Sequence, residues 1–223
     1  MYNSNNMKLE SVGILINLRP IGERDSVARI FTYDFGVMCG VMRAGQIARK
    51  NRPLVGQMGA VAWNARLDSQ LGTFHWEPEK NLSSPIMCRP VLLDMMNSAF
   101  ALISALVPER EQYKHLYTQT IKLLEQLPTE SGDAAYLQWE TELLRELGYG
   151  LNLGLCGACG THDDLMYISP RTGRAICKNC GAPYADRLYK MPLDLNTTYK
   201  FIERAAATQG TELPFQRRLI MRA

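Results

Sequence analysis

Four of the six cysteines in this 223-residue chain fall as Cys156-Gly-Ala-Cys159 and Cys177-Lys-Asn-Cys180, two C-x2-C pairs with seventeen residues between them. A C-x2-C pair can turn both of its sulfurs toward one point, and the glycine after each pair, Gly160 and Gly181, relieves the tight turn this requires. Two such pairs close a tetrahedral sphere of thiolates. The expected occupant is one structural zinc ion per chain, held by Cys156, Cys159, Cys177 and Cys180. A closed sphere leaves no position for water. Such a metal staples a small module together and does no chemistry of its own.

Other uses of these residues compete with zinc. Two disulfides would need an oxidising compartment, yet the start of the chain, Met1-Tyr-Asn-Ser-Asn-Asn, carries no apolar signal segment, and Cys39 and Cys88 are left over as buried thiols. A redox pair is the other alternative, and His162 could replace one thiolate, although a solvated loop histidine is the simpler reading. His75-Trp-Glu77 reproduces the H-x-E of zinc deaminases. No proline precedes Cys156 or Cys177, however, and each C-x2-C finds its natural partner in the other. No P-loop, dinucleotide turn or nucleophile elbow is present. The expectation is a protein that is not an enzyme.

Residues 1–80 read as the short strands of a small barrel. Val12, Ile14, Ile16 and Leu18 alternate strictly, as do Val37, Cys39 and Val41, and again Val61, Trp63, Ala65 and Leu67. With Ser26 to Thr32 and Leu71 to Glu77 this makes about five strands, which suits a closed five-stranded OB-type β-barrel. From Pro85 the period changes to three and four. Val91, Leu92, Met95, Met96, Ala99, Leu102, Ile103 and Leu106 make one helix, Tyr113 to Leu127 a second, and Tyr136, Trp139, Leu143, Leu144 and Leu147 a third that Gly148 ends. The predicted fold class is mixed α and β, multidomain: the OB-type barrel, then an all-α helical domain with an inserted four-cysteine zinc ribbon. The divisions expected are residues 1–80 for the barrel, 81–150 for a helical bundle, 151–190 for the zinc module and 191–223 for C-terminal helices. Asn196 is the expected N-cap of a helix reaching Gln209, with Gly210 past its end.

Hydrophobic residues make up 46% of the chain, enough for a real core, and no apolar run approaches the length needed to span a bilayer. A cytoplasmic, nucleoid-associated protein with no membrane partner is expected. The net charge of +3 is unevenly spread: residues 1–80 hold ten Lys/Arg against seven Asp/Glu, 81–150 five against nine, and 151–223 ten against six. A polyanion would therefore meet the two ends. The sharpest basic segment runs from Arg43 to Pro53 and contains Arg49, Lys50 and Arg52. With Arg19, Arg24 and Arg66 it makes a candidate DNA-binding set, able to lay guanidinium groups along a phosphate backbone. Ordinary solvated charge is the competing reading, and a zinc-stapled protein-interaction adaptor with weak nucleic-acid affinity is the competing function.

Taken in order, Arg19-Pro20-Ile-Gly22-Glu23-Arg24-Asp25, Phe31-Thr32 with Gly36, Arg43-Ala-Gly45, Leu143 to Leu151, and the passage Leu155-Cys156 through Ser169-Pro170-Arg171-x-Gly173 to Cys180 resemble the bacterial RecO recombination mediators. The resemblance covers nearly the whole chain. It implies an OB barrel, a helical domain with a zinc ribbon, binding of single- and double-stranded DNA, and annealing of complementary strands. It also implies partnership with RecR in a RecF-type pathway of DNA repair, in which recombinase is loaded onto strands covered by single-strand-binding protein. By position, Arg49, Lys50 and Arg52 correspond to the family's basic stretch after Gly45. The chain departs from that pattern at Gln46-Ile47.

Overall fold

The structure, a computed structural model, describes residues 7–23, 25–43, 53–66 and 71–221. Five strands come first: β1 (Met7–Ile21), β2 (Asp25–Thr32), β3 (Gly36–Met42), β4 (Gln57–Ala65) and β5 (Gly72–Asn81). They pair in the ring order β1-β2-β3-β5-β4, with β4 returning to β1. All pairs are antiparallel except β3 with β5, which close the ring in parallel over only three positions, Gly40 to Met42 against Gly72 to Phe74.

Helices α1 (Pro90–Leu106), α2 (Lys114–Gln126) and α3 (Gly132–Glu146) follow. Next comes a second sheet of β6 (Asn152–Cys156), β7 (Leu165–Ile168), β8 (Arg174–Cys177) and β9 (Tyr189–Lys190), in the order β6-β8-β7-β9. One turn of helix, α4 (Lys178–Gly181), and a 3-10 stretch over Ala182–Arg187 connect β8 to β9. Helices α5 (Leu195–Thr208) and α6 (Phe215–Ile220) end the described chain. Among the described residues no helix is long and apolar enough to cross a membrane.

The predicted fold class, an OB-type barrel followed by an all-α helical domain with an inserted four-cysteine zinc ribbon, is corrected. The second unit is not all-α, because its four-stranded sheet joins the core of the helices through Ile168 and Tyr189, the latter packed on Phe201 of α5. Nor does the first stand apart. Its strands are apolar on both faces: Leu15, Ala28, Ile30, Met38, Val61, Trp63, Phe74 and Trp76 fill the ring, while Ile14, Ile16, Phe31 and Val37 join the helices in one continuous core. A β-bulge between Leu15 and Asn17 breaks the two-residue period of β1, so that Leu18 faces the ring interior while Ile14 and Ile16 face the helices. Val12, expected in the same apolar row, is 41% exposed.

Helix ends follow rules that the sequence carries, with one correction. Gly148 and Gly210 take positive φ, +84° and +68°, just past α3 and α5. The N-cap of α5 is Asp194, whose carboxylate accepts from the Thr197 amide at 2.8 Å, and not Asn196. Of the two thiols expected to be buried, Cys39 is half-buried and Cys88 exposed, and Val91, expected on the apolar stripe of α1, is 51% exposed.

The β2–β3 turn locks the ring to the loop between α1 and α2. Gly36 has φ +61°, and a Cβ placed there would lie 1.8 Å from the Glu111 carbonyl oxygen. Gly36→Ala is therefore expected to cost about 1–3 kcal/mol in overpacking and backbone strain. Urea unfolding of the two proteins measures it, and an unchanged midpoint would mean that this loop yields freely.

Candidate metal centre and nucleic-acid interface

The four cysteines predicted as ligands come together. Cys156 ends β6, Cys159 lies in the turn after it, Cys177 ends β8 and Cys180 lies in α4. Their sulfurs all lie within 4.8 Å of one another. The parallel pairing of β6 with β8 brings the two knuckles side by side, Cys156 opposite Ala175. Backbone amides support the sulfurs: the Cys177 N–H donates to Cys156 Sγ at 3.4 Å. Gly160 adopts φ +78° to close the first knuckle. Gly181 does a different job from the one expected. Its φ is −89°, and it is glycine for space, since a Cβ there would lie 2.4 Å from Tyr167 Cδ2.

Hydrogen bonds within the cluster drive two of the thiols, Cys156 and Cys180, in opposite directions. The Cys177 amide, followed by that of Cys159, draws the Cys156 thiol down to about 6, whereas hydrogen bonds to Cys177 and Cys159 push Cys180 up to about 12. Thiol protons on sulfurs clustered this closely are what a bound cation would displace. The four residues thus form a cluster able to hold a metal ion. His162 takes no part, its Nδ1 lying 2.7 Å from the Gly154 carbonyl. His75 and Glu77 bond each other at 3.1 Å on the exposed side of β5 and belong to no metal-type cluster among the described residues.

The candidate DNA-contacting cations divide. Arg19, Arg43 and Arg66 are all exposed. Arg19 pairs with Val27, and Val27 with Val41, so Arg19 and Arg43 come to the same end of the ring, beside the β1–β2 turn. Arg66 stands apart, just beyond Ala65, which pairs with Met7 at the opposite end of β1. Arg24, Arg49, Lys50 and Arg52 lie outside the described residues. Arg29 is taken by structure: it donates to the Ser104 carbonyl at 2.8 Å and pairs with Glu109 at 2.9 Å.

Sequence reasoning missed the most deeply buried charged group. Arg217, legible in the sequence only as one of the ten cations of residues 151–223, is 0% exposed and bonds Glu140, also 0% exposed, through Nε and through Nη2 at 3.1 Å. The signal is present in the repeat of α3, where Glu140 falls on the apolar stripe between Tyr136 and Leu143.

A ring of strands and a set of helices that share one core, joined by a small sheet whose four cysteine sulfurs can hold a metal ion, define the class of protein. The profile described as "Recombination protein O C terminal" matches residues 95–204. The chain is 40% identical over 183 residues to the DNA repair protein RecO of Rhodospirillum centenum, covering 80% of this chain and 73% of that protein. It is 39% identical to that of Ruegeria sp., over 81% and 76% of the two chains, and 41% identical to that of Jannaschia sp., over 79% and 72%. The chain belongs to the RecO family of DNA repair proteins.

Proposed function

We propose that the protein is a recombination mediator of DNA repair, acting in a RecF-type pathway. It binds single- and double-stranded DNA, anneals complementary strands and, with RecR as partner, helps load recombinase on strands covered by single-strand-binding protein. The observation that carries this reading is identity near 40% to proteins named DNA repair protein RecO, over about four fifths of the chain. The activity asks for no covalent chemistry. Neutralising two phosphate backbones lowers their mutual repulsion, and pairing follows. A cytoplasmic, nucleoid-associated location goes with it.

The metal in this reading is zinc, one ion per chain, on Cys156, Cys159, Cys177 and Cys180. Zinc–sulfur bonds of about 2.3 Å in a tetrahedron set the sulfurs about 3.8 Å apart, and Cys159 and Cys177 are separated by 3.8 Å. Zinc would supply cross-linking charge there and nothing catalytic. The DNA contacts assigned are Arg19, Arg24, Arg43, Arg49, Lys50, Arg52 and Arg66. The division of labour is residues 1–80 for DNA, 81–150 and 191–223 for the helical body, and 151–190 for the metal module.

The test is a fluorescence-anisotropy titration with single-stranded oligonucleotides at several salt concentrations. Changing Arg49, Lys50 and Arg52 together to Ala is expected to weaken binding alike for unrelated sequences, because phosphate contacts carry no sequence information. It should also flatten the salt dependence by about two units of slope, at roughly 0.7 per phosphate contact. A wild-type chain with no salt-dependent binding would favour the adaptor reading instead.

A further inference from the structure

The metal-bearing sheet has an inner and an outer face. Along β8 the side chains alternate as Arg174 out, Ala175 in, Ile176 out, Cys177 in, and their burial follows, Ala175 and Cys177 being 0% and 4% exposed while Arg174 is exposed. Across the sheet Ile176 pairs with Tyr167, and Tyr167 with Lys190. Lys190 is exposed, whereas its neighbour Tyr189 turns inward onto Phe201, ring centroids 5.7 Å apart. The outer face therefore carries Arg174 on one side of Tyr167 and Lys190 on the other.

More positive charge borders this face. Arg171 lies in the β7–β8 turn, and Lys178 opens α4, whose Gly181 rests on Tyr167 and Ile176. All four cations are exposed, and among the described residues none of them has an anionic partner. Arg187, by contrast, has Asp186 at 3.7 Å, and Arg218 has Glu212 at 4.0 Å. The 3-10 stretch that follows α4 holds up Tyr184, 58% exposed. Cations without anionic partners on a sheet face, with the exposed Tyr184 ring on the stretch that follows α4, suit a phosphate backbone with a base free to stack.

We propose that this outer face is a second nucleic-acid site, binding the backbone of a single strand through Arg171, Arg174, Lys178 and Lys190. It rests on the DNA-binding reading above. It deepens that reading by giving the strand two separate contacts, one at the ring and one at the metal-bearing sheet. A protein that can hold a strand at two places, or one strand at each, has what bringing two strands together requires.

The full-length, zinc-loaded protein with Arg171→Gln, Arg174→Gln and Lys190→Gln tests this, since glutamine keeps much of each aliphatic stem and removes the charge. Arg171→Lys with Arg174→Lys serves as the charge-preserving control. The expected result with an oligothymidylate probe is a loss of salt slope of about two units and a tenfold or greater drop in affinity near 0.1 M salt, with zinc content unchanged and the lysine variant close to wild type. Unchanged oligothymidylate affinity and slope would overturn the proposal. If that came with faster metal loss to a chelator, the cations would serve only to offset the charge of the thiolate cluster. If polyglutamate binding alone fell, the face would be one for acidic protein segments. Failure of the wild-type chain to bind oligothymidylate at all would sink the DNA-binding reading itself, a result distinct from either.

Discussion

Arg217→Met is expected to destabilise the protein by about 3–5 kcal/mol, although the residue sits in the last short helix. Its guanidinium joins three elements. It bonds the Glu140 carboxylate of α3, donates from Nη2 to the Leu195 carbonyl of α5 at 2.8 Å, and lies 5.4 Å from the ring centre of Tyr199. Thr198 donates to the same carboxylate at 2.5 Å. Removing the cation leaves a buried carboxylate with too few partners, and that is where the cost comes from.

The loss should depend on pH. Burial already holds Glu140 above the usual carboxylate range, against the opposing pull of Arg217, Thr198 and Tyr136, and taking Arg217 away removes the largest opposing pull. A folded-state value above the unfolded one, about 4.3 for a free glutamate, means that the native state binds more protons. The variant is then penalised least at low pH and loses stability as pH rises through the raised value. Denaturant midpoints measured between pH 5 and pH 8 check this. A pH-independent deficit would show that Glu140 finds another cation. The double change Arg217→Met with Glu140→Leu should recover much of the loss, because two apolar groups leave no stranded charge.

On the zinc reading proposed above, Cys177→Ser should release the metal and unravel the small sheet. Cys177 is 4% exposed, its amide supports Cys156 Sγ, and it ends the strand paired with both β6 and β7. In modules of this size metal binding contributes on the order of 10 kcal/mol and is one event with folding. Metal analysis should fall from about one zinc per chain to none, and amide exchange should quicken across residues 151–190. Helical circular dichroism should stay near wild type, since α1, α2 and α3 pack chiefly on one another, α5, α6 and β1, and the sheet reaches their core only through a few residues such as Ile168 and Tyr189. Retained zinc in the variant would mean that three thiolates suffice.

Much of this is legible in the sequence because it rests on local rules. The cysteine spacing, the period of α1 to α3 and the glycines after α3 and α5 each report on a few neighbouring residues. What cannot be read depends on contacts between distant segments. The bulge after Leu15 reverses which residues of β1 face the ring, and nothing in the alternating pattern marks it. Phe31 and Val37 look like ordinary strand residues until α1 and α2 are seen to cover them. Arg217 looks like a tail cation because its partner lies 77 positions away, beyond any periodic signal. Gly181 stands out by its place after a cysteine pair, yet the demand for a missing side chain comes from Tyr167 across the sheet and not from its own backbone.

The core that ring and helices share governs how this protein can be dissected. Ile14, Ile16, Phe31 and Val37 are at most 3% exposed, and burying each contributes roughly 1.5–3 kcal/mol, a sum comparable with the whole stability of a small domain. A fragment ending near residue 80 would present these four side chains to water as a sticky patch. Its poor solubility, or its adhesion to any polymer including DNA, would say nothing about the intact molecule. The contributions of the two ends have to be separated by charge changes within the complete chain, where the greasy seam stays closed.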